Sequence, residues 1–221
     1  DILGAENVLL LNLPSRYNSH ATRDLAARLA QALGANYAVM PITESYEHTV
    51  AQLEGTPITS LHTGEQFCLQ LNGLVKENIQ ARDRGARLIA AASAAFGGAF
   101  SCNSNKAEMA VGYATFYGDI CGAVAMIGDL WKHQVYALGH YLNDVIFKRE
   151  VIPEEIFTIR PSAELSEAQT VGRGGDPLVY AYHDYLLRAF IENWHKTTPA
   201  DVLRWYVRGT LAEELGCTQQ A

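Results

Sequence analysis

The segment Val8-Leu9-Leu10-Leu11-Asn12-Leu13 is a short, nearly continuous apolar run that stops at the turn signal Pro14-Ser15-Arg16. Apolarity without alternation is the pattern of a strand covered on both faces, which parallel sheets produce. From Thr22 to Leu33 the residues Leu25, Ala26, Leu29, Ala30 and Leu33 return at helical spacing, and Gly34 follows as a stop signal. Asn36 to Ile42 (NYAVMPI) then reads as a second strand. Strand, helix and strand in immediate succession form a βαβ unit and predict an α/β fold with a parallel sheet.

The remaining chain extends that reading. Thr43 to Leu53 predicts a short helix, broken by Gly55-Thr56-Pro57. From His62 to about Phe96 there is no proline, and Phe67, Leu71, Leu74, Val75, Ile79, Ala86 and Ile89 recur three or four apart. This predicts one long helix, or two with a kink near Gly73 or Gly85, ended by Gly97-Gly98. Ala99 to Cys102 reads as a short buried strand, and Asn103-Ser104-Asn105 as a capping cluster for a helix from Lys106 to Gly112. Tyr117-Gly118-Asp119 and Cys121-Gly122 mark a glycine-rich loop. Asp129 is expected to cap a helix from Leu130 to Leu142, and Pro153 to start a short one before Pro161. A polar loop from Ser166 to Asp176 leads to two terminal helices, Tyr180 to Trp194 and Pro199 to Leu215. The first half alternates β and α, and the last third is helical.

Composition narrows the function classes. Of the 221 residues 48 % are apolar and 19 % charged, which excludes intrinsic disorder. A net charge of −7 argues against binding along a nucleic-acid backbone. No apolar run approaches the ~18 residues of a membrane span, and no secretory signal pattern is visible, so no membrane partner is expected. Cys68, Cys102, Cys121 and Cys217 show no zinc-like spacing, which points to a reducing, cytoplasmic compartment.

Several positions carry candidate chemistry, each with an ordinary structural alternative. Asn103 to Glu108 (NSNKAE) lies at a strand-to-helix junction, where open α/β sheets bind ligands. Free backbone N–H groups and a lysine there suit an anion, and Glu108 suits Mg²⁺; a capped surface helix gives the same pattern. Asp119 could aim a carboxylate into a cleft or simply close a turn. Asn78 and Arg82, four apart on one helix face, could clamp a polar ligand or be a common surface pair. Lys132 is otherwise a solvated lysine. Gly172-Arg173-Gly174-Gly175-Asp176 lacks the lysine and hydroxyl of a Walker A loop and reads as a flexible loop. The seven histidines show no metal-binding spacing, there is no GxSxG elbow, and Tyr180, Tyr182 and Tyr185 read as helix packing.

Taken together, the run from Asn103 to Leu138, NSNKAEMAVGYATFYGDICGAVAMIGDLWKHQVYAL, resembles the centre of the synthetase domain of NAD⁺ synthetases. Pro14-Ser15-Arg16-Tyr17, Glu77-Asn78-Ile79-Gln80-Ala81-Arg82 and Pro161-Ser162-Ala163-Glu164-Leu165 match in the same order. The resemblance covers essentially the whole chain, and Pro14-Ser15-Arg16-Tyr17 is similar to the glutamine-dependent branch. It implies an open parallel sheet flanked by helices, the adenine-nucleotide alpha-hydrolase-like or N-type ATP pyrophosphatase fold. The implied activity is amidation of deamido-NAD by adenylation with ATP and displacement of AMP by ammonia, free or drawn from glutamine. It further implies Glu108 as the Mg²⁺ ligand, Lys132 on the ATP phosphates, and Asn103 and Ser162 near ATP. Asn78, Arg82 and Asp119 are the implied deamido-NAD residues, in a homodimer or higher homo-oligomer whose interface includes the helix carrying Asn78 and Arg82.

The family's SGGxDS loop is not found in the sequence, Asn103 stands where many members have threonine, and a basic segment expected near the C-terminus is not seen. The expectation is one synthetase domain over residues 1–221, incomplete at both ends and belonging to a larger polypeptide. Two alternatives stay open: another ATP-pyrophosphatase-type amidotransferase synthetase domain, or a non-catalytic binding or dimerisation module.

Overall fold

The βαβ unit forms as the apolar pattern predicts. The computed structural model describes residues 2–169 and 175–217. Strand β1 (Leu9–Asn12) pairs in parallel with β2 (Asn36–Val39), Leu9 opposite Asn36 and Asn12 opposite Val39. Helix α1 (His20–Leu33) makes the crossover. Ser19 caps its start by accepting from the Thr22 N–H, and Gly34 ends it in the left-handed region at φ 66°, where a side chain is disfavoured. The expectation of a fully buried first strand is corrected: all four β1 residues are half-buried. The reason is that, among the described residues, β1 is covered along only one edge, by β2.

Helix α2 (Thr43–Leu53) keeps the predicted bounds and follows Ile42, which is fully buried. The largest departure comes next. Pro57–Thr59 (β3) and Gln66–Cys68 (β4) form an antiparallel hairpin, with Ile58 opposite Phe67. The helix expected from His62 therefore cannot begin there. Phe67 supplied helical spacing in the sequence, but on this strand it is exposed. Asn72 Oδ1 accepts from Val75 N at 2.9 Å and starts the helix instead.

The rod beyond the hairpin comprises α3 (Gly73–Arg82), a π-helical stretch over Asp83–Ile89 and α4 (Ala90–Ala95). Gly73 is its first residue, and Gly85 lies inside the π stretch. The expected strand at Ala99 to Cys102 reduces to one parallel bridge between Ser101 and Val124. Helix α5 (Lys106–Val111) begins at a capping box made by Asn105 and Glu108.

Helix α6 (Lys132–Tyr141) starts two residues later than predicted and runs into a π-helical stretch over Leu142–Phe147. Asp129 does not cap it. That carboxylate is 94 % exposed and pairs with Lys106, while fully buried Trp131 occupies the N-cap position. Helix α7 (Glu155–Thr158) follows Pro153. Helix α8 (Tyr180–Ile191) packs on α5 and α6. The final predicted helix is split by Gly209, in the left-handed region, into α9 (Pro199–Arg208) and α10 (Leu211–Leu215). Among the described residues, no helix is long and apolar enough to cross a membrane. Of the glycine-rich segment 172–176, Gly172, Arg173 and Gly174 lie outside the described residues.

Candidate functional site

A cavity of about 750 Å³ opens between the start of α1, the rod, α5, α6 and α7. Ile89, Phe100, Val135, Ile152 and Phe157 form an apolar part of its wall. Asn103, Glu108, Asp119, Lys132 and Ser162 all line it, so the fold brings together five positions spread over 60 residues of sequence. Asn78 and Arg82 are not among the lining residues.

Glu108 has two duties. Its Oε2 accepts from Asn105 N at 3.0 Å, while Asn105 Oδ1 accepts from Glu108 N at 3.1 Å; this closes the first turn of α5. Its Oε1 lies 3.2 Å from the Tyr180 hydroxyl, which also lies 3.0 Å from Asp176 Oδ2. One hydroxyl carries one proton, so it cannot donate to both carboxylates at once. One of these oxygens therefore retains an acceptor site for another partner. Burial, then the Asp176 and Glu108 charges, raise the Tyr180 pKa well above that of a free phenol. Tyr113, whose hydroxyl is 3.5 Å from Asp176 Oδ1, is pushed up to about 12, chiefly by burial.

No group of three metal-ligating side chains occurs among the described residues. Mg²⁺ does not require one, because it binds through one or two carboxylates and completes its shell with water and substrate phosphates. Glu108 and Asp176, held at one hydroxyl with an acceptor site to spare, fit that donor set.

Lys132 is the first residue of α6. Its Nζ lies 5.0 Å from the Tyr180 ring centroid and 5.7 Å from that of Tyr136. It makes no ion pair among the described residues. Lys106 contrasts with it: Nζ is 2.7 Å from Asp129 Oδ1 and 2.6 Å from Glu192 Oε1, so its charge is already matched.

Asp119 closes a tight loop. Its Oδ1 accepts from Thr115 N at 2.5 Å, and the turn passes through Tyr117 at φ 61°. Asn78 Oδ1 accepts from Thr115 Oγ1 at 2.6 Å, and Arg82 Nε donates to Phe116 O at 3.3 Å. Asn78 and Arg82 thus hold the loop that presents Asp119, from beside the cavity and not from inside it. Ser162 donates its hydroxyl to the Gln169 carbonyl and accepts from Glu164 N at 3.3 Å. Asn103 Oδ1 accepts from Ser101 Oγ at 2.8 Å.

The model of the NAD synthase family matches residues 1–206. The chain belongs to the NAD synthase family. Among curated relatives of this NAD synthase chain, the glutamine-dependent NAD(+) synthetase of Xanthomonas campestris pv. campestris (strain 8004) is 39 % identical over 170 residues, 77 % of this chain and 29 % of that protein. The enzyme of the same name from Thermotoga maritima is 38 % identical over 192 residues, 87 % of this chain and 31 % of that protein. The chain thus spans about a third of the length of these relatives.

Solved structures agree on the fold. A glutamine-dependent NAD+ synthetase from Acinetobacter baumannii, in complex with adenosine diphosphate, superposes with a TM-score of 0.59 at 26 % identity, over 96 % of this chain and 35 % of that one. The NMN synthetase of Francisella tularensis gives 0.65 at 24 % identity, over 96 % of this chain and 77 % of that one, and shows the fold alone.

Within this NAD synthase fold, residues that sequence spacing does not assign to the site stand around the cavity. Tyr180 packs under Lys132 as a helix residue should, but its hydroxyl also joins Glu108 to Asp176. Asp176 precedes α8, so its four-residue spacing from Tyr180 defines no shared helix face and gave no signal. Arg84 itself lines the cavity, donating from Nε to Leu13 O at 2.8 Å and from an amino group to Asn18 Oδ1 at 3.3 Å. Burial lowers its pKa to about 10, which leaves it cationic at neutral pH. Arg82, the last residue of α3, bonds the loop at Phe116, whereas Arg84, in the π-helical stretch, bonds Leu13 and Asn18, so the two arginines serve different neighbours of the rod. Glu164, in the Pro161–Leu165 motif, is buried at φ 48° and accepts from Asn18 Nδ2, Ser19 N and Thr22 Oγ1 at 2.9–3.1 Å, which fastens this loop to the start of α1.

Proposed function

We propose that this chain is the ligase part of an NAD synthase that amidates deamido-NAD to NAD at the expense of ATP. The observation that carries the reading is the convergence of Glu108, Lys132, Asp119, Ser162 and Asn103 on one cavity in a chain of this family. In the first step an oxygen of the nicotinic acid carboxylate attacks the α-phosphorus of ATP. The new O–P bond gives an adenylate, and the bond to the β-phosphate breaks to release pyrophosphate. Ammonia, free or derived from glutamine, then attacks the acyl carbon; AMP leaves with its oxygen, a proton is lost, and the amide remains.

Because the substrate brings the nucleophile, the chain's work is to position groups and neutralise charge. Lys132 supplies a cation for the phosphates. Its ammonium rests on two aromatic rings and is not neutralised by a carboxylate among the described residues, so it is available to an anion. Glu108 and Asp176 are the residues that would hold Mg²⁺, whose chemistry when bound is charge neutralisation on the phosphates. Ser162 and Asn103 offer polar contacts to ATP. Asp119, with Asn78 and Arg82 behind its loop, serves deamido-NAD at a homodimer interface that includes α3. The four free cysteines suit a reducing, cytoplasmic setting.

The test is single-turnover pyrophosphate release by the protein carrying this chain, with Mg²⁺, ATP and deamido-NAD. Lys132→Ala should slow release well over tenfold, the scale of one charge-assisted contact, about 1.5–3 kcal/mol. A rate near wild type would overturn the assignment.

A further inference from the structure

In the proposed ligase reading, on which the role of Asp184 rests, Lys132 is the phosphate-facing cation. Its backbone opens α6, where the N–H groups of the first turn have no intrahelical acceptor. Trp131 stands at the N-cap position, and an indole nitrogen donates but does not accept. Gln134 Oε1 reaches back to accept from Trp131 N at 2.9 Å. The N–H of His133 is served from a different helix: Asp184 Oδ2, on α8, accepts it at 2.9 Å and lies 2.9 Å from His133 Nδ1.

Asp184 is an expensive residue to keep at this place. It is 0 % exposed, and its Oδ1 has no hydrogen-bond partner among the described residues. Burial of a half-satisfied carboxylate costs stability, and a well-packed apolar side chain of similar size would avoid that cost. What the carboxylate supplies is a fixed point for the start of α6, reinforced by the favourable placement of negative charge at a helix N-terminus.

The neighbouring contacts share one origin. Tyr180 and Asp184 are four apart on α8 and so lie on one face, and Glu192 follows the same stripe just past the helix end. Glu192 Oε1 accepts from Trp131 Nε1 at 2.9 Å, the Tyr180 ring carries the Lys132 ammonium, and Asp184 holds the His133 backbone. Residues 131, 132 and 133 are each met by one residue of this stripe. We infer that Asp184 is a positioning residue for the ligase reaction, setting the first turn of α6 so that Lys132 Nζ stands over the Tyr180 ring, at the wall of the cavity that Glu108 also lines.

The experiment is a double-mutant cycle on single-turnover pyrophosphate release in the full-length protein, with thermal melting of every variant. Asp184→Ala removes the acceptor; Asp184→Asn keeps the oxygen and removes the charge. Asp184→Ala is expected to slow release more than thirtyfold at temperatures well below its melting transition, and Asp184→Asn three- to tenfold. In the Lys132→Ala background either substitution should cost less than a further twofold, because residues acting through one group are non-additive. Should Asp184→Ala fail to fold, the Asp184→Asn cycle alone decides. Losses that multiply with that of Lys132→Ala, or variants that melt lower but release pyrophosphate at the wild-type rate, would overturn the inference and leave the ligase reading intact. A Lys132→Ala rate near wild type would overturn both.

Discussion

Gly85 and Gly118 meet with no room for a side chain on either. A Cβ on Gly85 would overlap the carbonyl of Gly118, and a Cβ on Gly118 would lie 2.9 Å from the Ala81 Cβ. The loop bearing Asp119 therefore lies flush on the rod, at the point where the rod is π-helical, close enough for Asn78 and Arg82 to bond it. The obstruction is backbone and cannot yield as a flexible side chain would. Gly85→Ala should cost about 1–3 kcal/mol, as over-packing does. Urea unfolding would measure it, and a change under roughly 0.5 kcal/mol, on the scale of an ordinary surface substitution, would contradict the contact.

Glu108 serves both structure and chemistry, and one substitution separates the two. Glutamine is as suitable as glutamate at the third position of a capping box, so Glu108→Gln keeps the bond to Asn105 N. The loss is negative charge beside Tyr180 and Asp176. We expect a melting transition close to wild type and a Mg²⁺ requirement for pyrophosphate release raised at least tenfold, on the scale of ~1.5–3 kcal/mol for a charged contact. A large fall in stability with unchanged Mg²⁺ dependence would reverse this division of roles.

The phenols beside Asp176 predict an alkaline limit. Tyr113 rises from 10.0 to about 12 on folding, Tyr180 rises further still, and burial leads in both cases. Below the unfolded value both states keep the proton, and the contribution to stability is whole. Between about 10 and 12 the unfolded chain loses its protons while the folded chain retains them, so stability falls as pH rises. Urea unfolding from about pH 9 to 11 should show this decline, and Tyr113→Phe and Tyr180→Phe should each flatten it. Equal slopes in the wild type and both variants would sink the explanation.

Legibility in the sequence followed the range of the interactions. The βαβ unit could be read because apolar spacing and Gly34 act within a few residues, and α5 because Asn105 and Glu108 cap each other three apart. The hairpin over residues 57–68 could not. Phe67 and Leu71 are four apart like helix neighbours, and no Asn-Gly or Asp-Gly pair announces the turn. Lys132 was legible through the family motif, but its supports were not. Tyr180 and Asp184 come from a helix about fifty residues downstream whose own pattern is that of ordinary packing. Which helix an aspartate caps is decided by tertiary packing, and no local spacing encodes it.

Arg82 offers a test of the deamido-NAD site and the proposed dimer together. It is exposed on α3, and its Nε is committed to the Phe116 carbonyl. Leu74, about two turns before it, is 65 % exposed, and Val75 and Ile79 are half-buried on the same helix. A guanidinium suits a nucleotide phosphate through planar, paired donors. Arg82→Ala should raise the KM for deamido-NAD at least tenfold with little change in that for ATP, the loss of one charge-assisted contact of ~1.5–3 kcal/mol. The substitution also frees the loop, so a control is needed: Thr115→Val removes the Asn78 bond to the same loop and leaves the guanidinium in place. If Thr115→Val reproduces the KM change, Arg82 acts by holding the loop and touches no substrate. Ile79→Asp should reduce dimer on size-exclusion chromatography and reduce activity in step. A fully active monomer would place deamido-NAD within one chain and remove α3 from the interface.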